Sequence, residues 1–414
     1  MSMEIRPAAP DEMGQLGLLA GYVYGGSFGD GPDSMPAQAT RPEWTLCGFD
    51  GGQMVTSYAT IPFTMRANGN PIPLAGVSAV GTLPEYRRQG LLRRITTRSF
   101  QELYEQGRPV AALWASQAAI YQRYGYAQVT VNRAYAIDSV DIAFFDGDPG
   151  RGDVTRLDVE TGYDAVKALY IDYIAERTCY LHRARVLWDN NAFGADEPDG
   201  PVHIALSRDR AGTPDAYAVY TLRGGRVDHP ARPQELVVRD LAWLTLDGYR
   251  ALWSWFARHD LVGRVRWDGA PVDDPAPELL VEPRMLRGRD DEGLWLRIVD
   301  VATALEARGY GPGGERGPSA DGALVIEIPD DDLAPWNSGR YALTVEAGTA
   351  QVTGAPTLDP DLTLPVKALA SLWAGYRTAR QLRAWGLLDA TPEATARADV
   401  LFATAHGPGC PDHF

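Results

Sequence analysis

Residues Val77–Leu92, VSAVGTLPEYRRQGLL, pass from an apolar, strand-like run through a proline turn into Arg-Arg-Gln-Gly and the start of a helix. A strand that feeds a helix through a loop closed by glycine is the opening half of a crossover in a mixed α/β domain. The start of a helix leaves backbone N–H groups unpaired and carries a partial positive charge, which suits an anion such as a pyrophosphate. Gly90 lets a ligand approach the backbone closely, and Arg87, Arg88, Arg93 and Arg94 add cationic charge. Taken alone, the same residues read equally well as an ordinary loop with a solvated basic helix start.

The flanking residues extend the α/β pattern. Asp11–Tyr24 reads as a helix capped at Asp11, and Trp44–Phe49, Gln53–Phe63 and Ile72–Leu83 read as strands separated by turns at Gly51-Gly52 and Asn68-Gly69. After Gly90 the apolar positions Leu91, Leu92, Ile95, Phe100 and Leu103 recur at helical spacing. Val110–Trp114 then reads as a buried strand, Ala118–Tyr124 as a short helix ending at Gly125, and Val129–Ile137 as a further strand.

A chain of 414 residues exceeds the usual size of one hydrophobic core, so several domains are expected. Loop-like segments at Asp146–Asp153 and Asp268–Pro277 divide it into three: 1–145, 146–285 and 286–414. The second domain reads as helices Tyr163–Ala175 and Gly248–Arg258 with strands His203–Leu206, Ala216–Leu222 and Glu235–Leu244. The third reads as strands Leu294–Val299, Leu324–Ile328, Arg340–Val345 and Ala350–Thr353, with helices Val301–Ala307, Val366–Ala374, Ala379–Trp385 and Pro392–Phe402. The fold class is α/β (α+β), built from mixed sheets.

The 39 Lys and Arg against 54 Asp and Glu give a net charge of −15, which repels phosphate backbones and attracts cations. Nucleic acid is therefore excluded as a partner and a cationic substrate is permitted, although acidity often serves solubility alone. Cys47, Cys179 and Cys410 are odd in number, far apart and without metal-ligand spacing, and the histidines form no ligand pair. No metal is expected. An acidic start, with no apolar run of membrane-spanning length, points to an unprocessed cytoplasmic protein with no membrane partner.

One crossover and one strand after the arginine loop stands Ser116–Tyr126, SQAAIYQRYGY, a Tyr-x-x-x-Gly-aromatic element. With VGTLPEYRRQGLLRR before it, the chain resembles the Gcn5-related N-acetyltransferases (GNAT). The stretch GLWLRIVDVATALEARGY at Gly293–Tyr310 is similar to the segment that opens a sterol-carrier-protein-like domain in the Eis (enhanced intracellular survival) aminoglycoside acetyltransferases of actinobacteria. The resemblance spans the chain. It implies two tandem GNAT-like domains, the second without its own cofactor, followed by the sterol-carrier-like domain.

The resemblance also implies acetyl-CoA as cosubstrate, a cationic amine as acceptor and a homo-oligomer, hexameric in the better-known members. Val80, Gly81 and Thr82 would hold the pantetheine arm. Arg88, Gln89, Gly90, Leu91, Leu92 and Arg93 would surround the pyrophosphate, and Ser116 and Gln117 would line the facing strand's end. Tyr121 matches the general acid that protonates the departing thiolate, a task that a phenol protonated at neutral pH can perform. In such enzymes the base is the α-carboxylate of the last residue, here Phe414. No cysteine lies in either motif to carry an acyl group, so direct transfer in a ternary complex is expected.

Tyr124 and Tyr126 are decoys for Tyr121, the latter being the packing aromatic after the glycine. Asp412 is a candidate for added negative charge near the amine, and His413 stands where better-known members carry an acid, which puts their substrate preference in doubt. Trp44, Tyr22, Tyr24, Phe28 and Phe63 read first as core and second as cleft walls, while Asp30 and Asp33 sit in a loop able to meet an amine. Two other readings stay open. One is a lipid-binding or scaffold protein with an inactive GNAT domain; the other is an acetyltransferase for protein lysine or arylalkylamines.

Overall fold

The computed structural model describes residues 3–26, 40–194, 199–311 and 320–414. The chain forms two compact units. The first holds residues up to Val129, Leu294–Thr404 and Phe414; the second holds Thr130–Gly293 and Ala405–His413.

The first unit begins with β1 (Glu4–Arg6), α1 (Met13–Tyr24), β2 (Cys47–Asp50), β3 (Gln53–Ala67) and β4 (Asn70–Thr82). The crossover helix α2 (Leu91–Glu105), β5 (Val110–Trp114), a single turn of helix α3 (Ala118–Tyr121) and β6 (Ala127–Gln128) follow. Asp11 does not cap α1: Pro10–Glu12 make a 3-10 turn ahead of it, and Glu12 pairs with Arg6 at 2.6 Å. The β3–β4 hairpin turns at Asn68 and Gly69, both at positive φ, as a tight turn compatible with strand twist requires. On α2 the residues Leu91, Ile95, Phe100 and Leu103 are buried, so the apolar stripe read from the sequence is the face that packs on the sheet.

The chain then builds the second unit. Its elements are β7 (Val131–Asp138), β8 (Asp153–Leu157), α4 (Val159–Ile174), α5 (Arg185–Asn190), β9 (His203–Arg208), β10 (Pro214–Arg223), β11 (Gln234–Trp243), α6 (Leu246–Ala257), β12 (Val262–Ala270), α7 (Ala276–Leu279) and β13 (Arg289–Glu292). The sheet order is β13-β7-β12-β11-β10-β9-β8, over a core that includes Tyr249, Trp253, Phe256 and Trp267.

Beneath this sheet Asp274 is buried, accepting from the Tyr249 hydroxyl at 2.9 Å and from the Ala276 backbone N–H at 3.0 Å. Burial pushes its carboxyl up to about 7 from 3.8, against the opposing effect of those hydrogen bonds. The folded protein then keeps a proton that the unfolded chain has already lost, so stability falls as pH rises between about 4 and 7. Asp274→Asn should flatten this slope. The difference between wild-type and variant melting temperatures, measured from pH 4.5 to 7.5, should shift steadily in the variant's favour; a constant difference would contradict the assignment.

Back in the first unit come β14 (Leu294–Ile298), α8 (Val301–Ala307), β15 (Gly322–Ile328), β16 (Gly339–Glu346), β17 (Thr349–Gly354), β18 (Leu362–Thr363), α9 (Val366–Trp373), α10 (Ala379–Ala384), β19 (Asp389–Ala390) and α11 (Pro392–Leu401). Strands β17-β16-β15-β18-β19 form a third sheet. The buried Arg308 donates to the carbonyls of Trp373 and Phe402, at 2.6 and 2.8 Å, closing the C-terminal ends of α9 and α11.

Two strands lie in sheets other than those that chain order suggests. The run expected as Val129–Ile137 divides: β6 pairs with β14, whereas β7 joins the second sheet beside β12. β14, expected to open the third domain, instead pairs antiparallel with β5, giving the first sheet the order β1-β2-β3-β4-β5-β14-β6. The reason is burial: β14 is buried throughout its length, and next to β5 its Trp295 joins the core that includes Ile95, Phe100 and Leu103 of α2.

Candidate active site

β4 and β5 run parallel and pair only from Leu74↔Val110 to Gly76↔Ala112. Beyond Gly76 the ladder stops, and the two strand ends lead into the two motifs. β4 is also bulged there: Ser57 on β3 faces Gly81, Ala59 faces Ser78, and Ala79 takes φ +50. A left-handed alanine costs on the order of 1–3 kcal/mol, so its surroundings must hold it. Gly81 is a tight fit, since a Cβ there would lie 2.5 Å from Leu19 Cδ2 on α1.

The arginine loop follows. Arg88 at φ +60 and Gly90 at φ +77 bring the backbone round into α2, whose N-cap position is Gly90 with no side-chain cap. Space around the missing Gly90 Cβ is open. Arg87, Arg88, Gln89, Arg93 and Arg94 are exposed, whereas Leu91 is buried and Leu92 half-buried. Arg87 donates to the Thr82 carbonyl at 2.9 Å, Gln89 donates to the Glu85 carbonyl at 3.0 Å, and Arg93 lies 3.7 Å from Asp332. Arg88 and Arg94 pair with no acid among the described residues.

Across the opening, Ser116 and Gln117 are exposed between the end of β5 and α3, with Gln117 at the N-cap position. Tyr121 is buried at the end of α3, 6% exposed. Burial pushes its phenol well above the ordinary tyrosine range, the nearby Tyr24 and Tyr58 reinforce this, and a hydrogen bond with Ser116 opposes it. Tyr126 is buried deeper, its ring edge-on to Tyr121 at 5.9 Å and 6.2 Å from Phe100, which is a packing position. Tyr124 is half-buried, close enough to Arg93 to feel its charge.

Phe414 belongs to this unit too. Its ring stacks obliquely on Phe63 of β3 at 4.9 Å and covers Gly76, where a Cβ would come within 2.9 Å of it. Gly76 is the last residue of β4 that pairs with β5, so the Phe414 side chain sits where the strands part. An isolated glycine inside a strand signals such a close approach, and Gly76 is the site feature most readily missed in the sequence. Of the other aromatics, Tyr22 and Tyr24 are exposed rather than core, and Phe28, Asp30 and Asp33 lie outside the described residues.

The rest of the tail is described by the second unit. Asp412 is fully buried, accepting from Arg183 at 2.8 Å, while Arg183 also donates to Asp240 at 2.6 Å. This corrects the expectation that Asp412 adds charge near a substrate: its carboxylate is consumed by a buried ion pair. His413 exchanges backbone hydrogen bonds with the Asn191 side chain. In this sheet β11 and β12 pair in parallel only as far as Val238↔Trp267. The tail borders both strand ends, through Arg183 to Asp240 and through Pro411 beside Gly269.

A parallel strand pair that separates beside an uncapped helix start fits an N-acetyltransferase of the Gcn5-related class, and the family matches show that class. Residues 4–129 and 179–298 match family models of an acetyltransferase (GNAT) domain, and residues 301–411 match a sterol carrier protein domain. An uncharacterized N-acetyltransferase of Streptomyces avermitilis is 34% identical, covering 100% of this chain and 99% of its own. The N-acetyltransferase Eis of Mycobacterium tuberculosis is 31% identical over 80% of this chain and 79% of its own. Among solved structures, Eis1 from Mycobacterium abscessus superposes with a TM-score of 0.80 at 26% identity, and a GCN5-related N-acetyltransferase from Anabaena variabilis with 0.86 at 26%, each over 100% of both chains. The chain belongs to the Eis family of N-acetyltransferases, whose GNAT domains take acetyl groups from acetyl-CoA.

Proposed function

We propose that the protein acetylates amines of cationic polyamine substrates such as aminoglycosides, by direct attack in a ternary complex with acetyl-CoA in the first unit. The observation that carries this reading is the placement of Tyr121 and Phe414 about the opening between β4 and β5. Acetyl-CoA supplies an activated acetyl thioester.

The residues fit that group. Gly90 leaves open space beside the uncapped start of α2, where Arg88, Gln89, Gly90, Leu91, Leu92 and Arg93 would take the pyrophosphate. Val80, Gly81 and Thr82, past the end of the β4–β5 ladder, would bind the pantetheine arm, and Ser116 and Gln117 would face it. Tyr121 holds its proton across neutral pH and would donate it from Oη to the departing thiolate. The α-carboxylate of Phe414 would remove a proton from the attacking amine. The net charge of −15 favours approach of a polycation. The protein is proposed to act in the cytoplasm as a homo-oligomer, hexameric as in the family members it resembles.

Free-thiol release from acetyl-CoA, with product masses read in parallel, tests the substrate class across kanamycin, spermine, an arylalkylamine and a lysine peptide. More than one acetyl on kanamycin is the expected result. Turnover confined to the arylalkylamine or the peptide would reject the polyamine reading, and no turnover with any amine would favour a scaffold or lipid-binding role.

A further inference from the structure

Three consecutive carbonyls at the free end of β4 are each held by a side-chain hydroxyl. Ser57 donates to the Ala79 carbonyl at 2.6 Å, Tyr24 to the Val80 carbonyl at 2.7 Å and Thr56 to the Gly81 carbonyl at 2.8 Å. Thr56 and Ser57 are fully buried on β3, and Tyr24 ends α1. An antiparallel ladder normally satisfies strand carbonyls with backbone N–H groups. Here the bulge sets Ala79 and Val80 opposite Tyr58 alone, and side chains replace part of that pairing.

The consequence follows from peptide geometry. In a trans peptide the carbonyl and the following N–H point in opposite directions. Hydroxyls on β3 that turn the Ala79 and Gly81 carbonyls towards β3 therefore turn the N–H groups of Val80 and Thr82 towards the other edge. That is the edge from which β5 has parted after Gly76. The Tyr24 hydroxyl fixes the intervening peptide from the helix side, and the left-handed Ala79 is the residue that makes the pattern possible.

We infer that Ser57, Thr56 and Tyr24 form a hydroxyl clamp that sets the β4 bulge and aims the Val80 and Thr82 N–H groups at the acetyl-CoA arm. These are positioning residues, because each acts through a β4 carbonyl. The inference rests on the reading of the β4–β5 opening as the acetyl-CoA site. The Thr56 hydroxyl, besides donating to Gly81, shares a hydrogen bond with the Thr82 hydroxyl at 2.9 Å, which belongs to the same strand end.

The test is calorimetric titration of acetyl-CoA, without an acceptor, into the full chain and its Ser57→Ala, Thr56→Val and Tyr24→Phe variants, with thermal melts alongside. Each lost hydroxyl should weaken acetyl-CoA binding about threefold to tenfold, the scale of one hydrogen bond. Thr56→Ser keeps the hydroxyl and should bind as the wild type does. Wild-type binding with undiminished affinity in all three variants would overturn the clamp while leaving the acetyl-CoA site intact. A lowered melting temperature in the variants with unchanged affinity would overturn it equally, as would Thr56→Ser binding as weakly as Thr56→Val. Absence of acetyl-CoA binding to the wild type would instead overturn the underlying site reading.

Discussion

Tyr121→Phe should lower kcat by about 10²-fold to 10³-fold while leaving the acetyl-CoA dissociation constant within about twofold of wild type, as expected when a general acid is removed without disturbing binding. The ring that packs edge-on against Tyr126 is retained, so the small helix α3 keeps its core contact and the fold should survive. The pH profile is part of the same expectation. Because burial holds the Tyr121 phenol well above the ordinary tyrosine range, no loss of activity from its ionisation should appear up to about pH 10 in the wild type. Equal losses in turnover and in acetyl-CoA affinity would remove Tyr121 from the acid role and make it a packing residue. Tyr126→Phe supplies the contrast, since its hydroxyl lies deeper and its ring packs against Phe100.

Extending the chain by a few residues beyond Phe414 should reduce kcat about 10²-fold or more, because the terminal carboxylate becomes a neutral amide that accepts no proton. The Phe63 and Gly76 seat gives a second way to reach the same group without changing the terminus. In Gly76→Ala the new Cβ would stand 2.4 Å from Phe63 Cε2 and 2.9 Å from the Phe414 ring. Such overpacking costs typically about 1–3 kcal/mol and is relieved by moving the rings. Both variants should therefore lose turnover with near-normal acetyl-CoA binding, and melting temperatures distinguish a displaced ring from a damaged sheet. A C-terminally extended protein with full activity would reject the carboxylate as base.

Much of the first unit was legible because its signals are local. Helix α2 follows from the spacing of Leu91, Ile95, Phe100 and Leu103, and β5 from the uninterrupted apolar run Val110–Trp114. The two motifs pointed to strand ends that the fold brings to one opening. What stayed hidden is non-local. The run Leu294–Ile298 is plainly a buried strand, but nothing in it says that its partner is β5, almost two hundred residues earlier in the chain. Asp412 looks like a free acid near a chain end until Arg183, 229 positions away, takes it into a buried pair. The bulge at Ala79 escapes for a different reason: left-handed strand residues are usually announced by glycine, and here three hydroxyls do the holding.

The same contrast explains the two parallel strand pairs. The first two sheets each have one that stops short, β4–β5 after Gly76 and β11–β12 after Val238. In the first, the strand ends lead to an uncapped helix start with exposed arginines. In the second, they border the chain's own tail and the Arg183 ion pairs. A glycine loop of the kind at Arg87–Gly90 is what separates them in sequence, which is why only the first motif pair pointed to a cofactor.

The most direct measurement is a crystal structure of the protein grown with CoA. The expected result is one CoA per chain, with its pyrophosphate at the start of α2 within hydrogen-bond distance of the Arg88–Arg93 backbone, its arm along Val80–Thr82 and its sulfur facing Tyr121. CoA bound at the β11–β12 opening instead, or a sulfur remote from Tyr121, would contradict the assignment of the active site to the first unit.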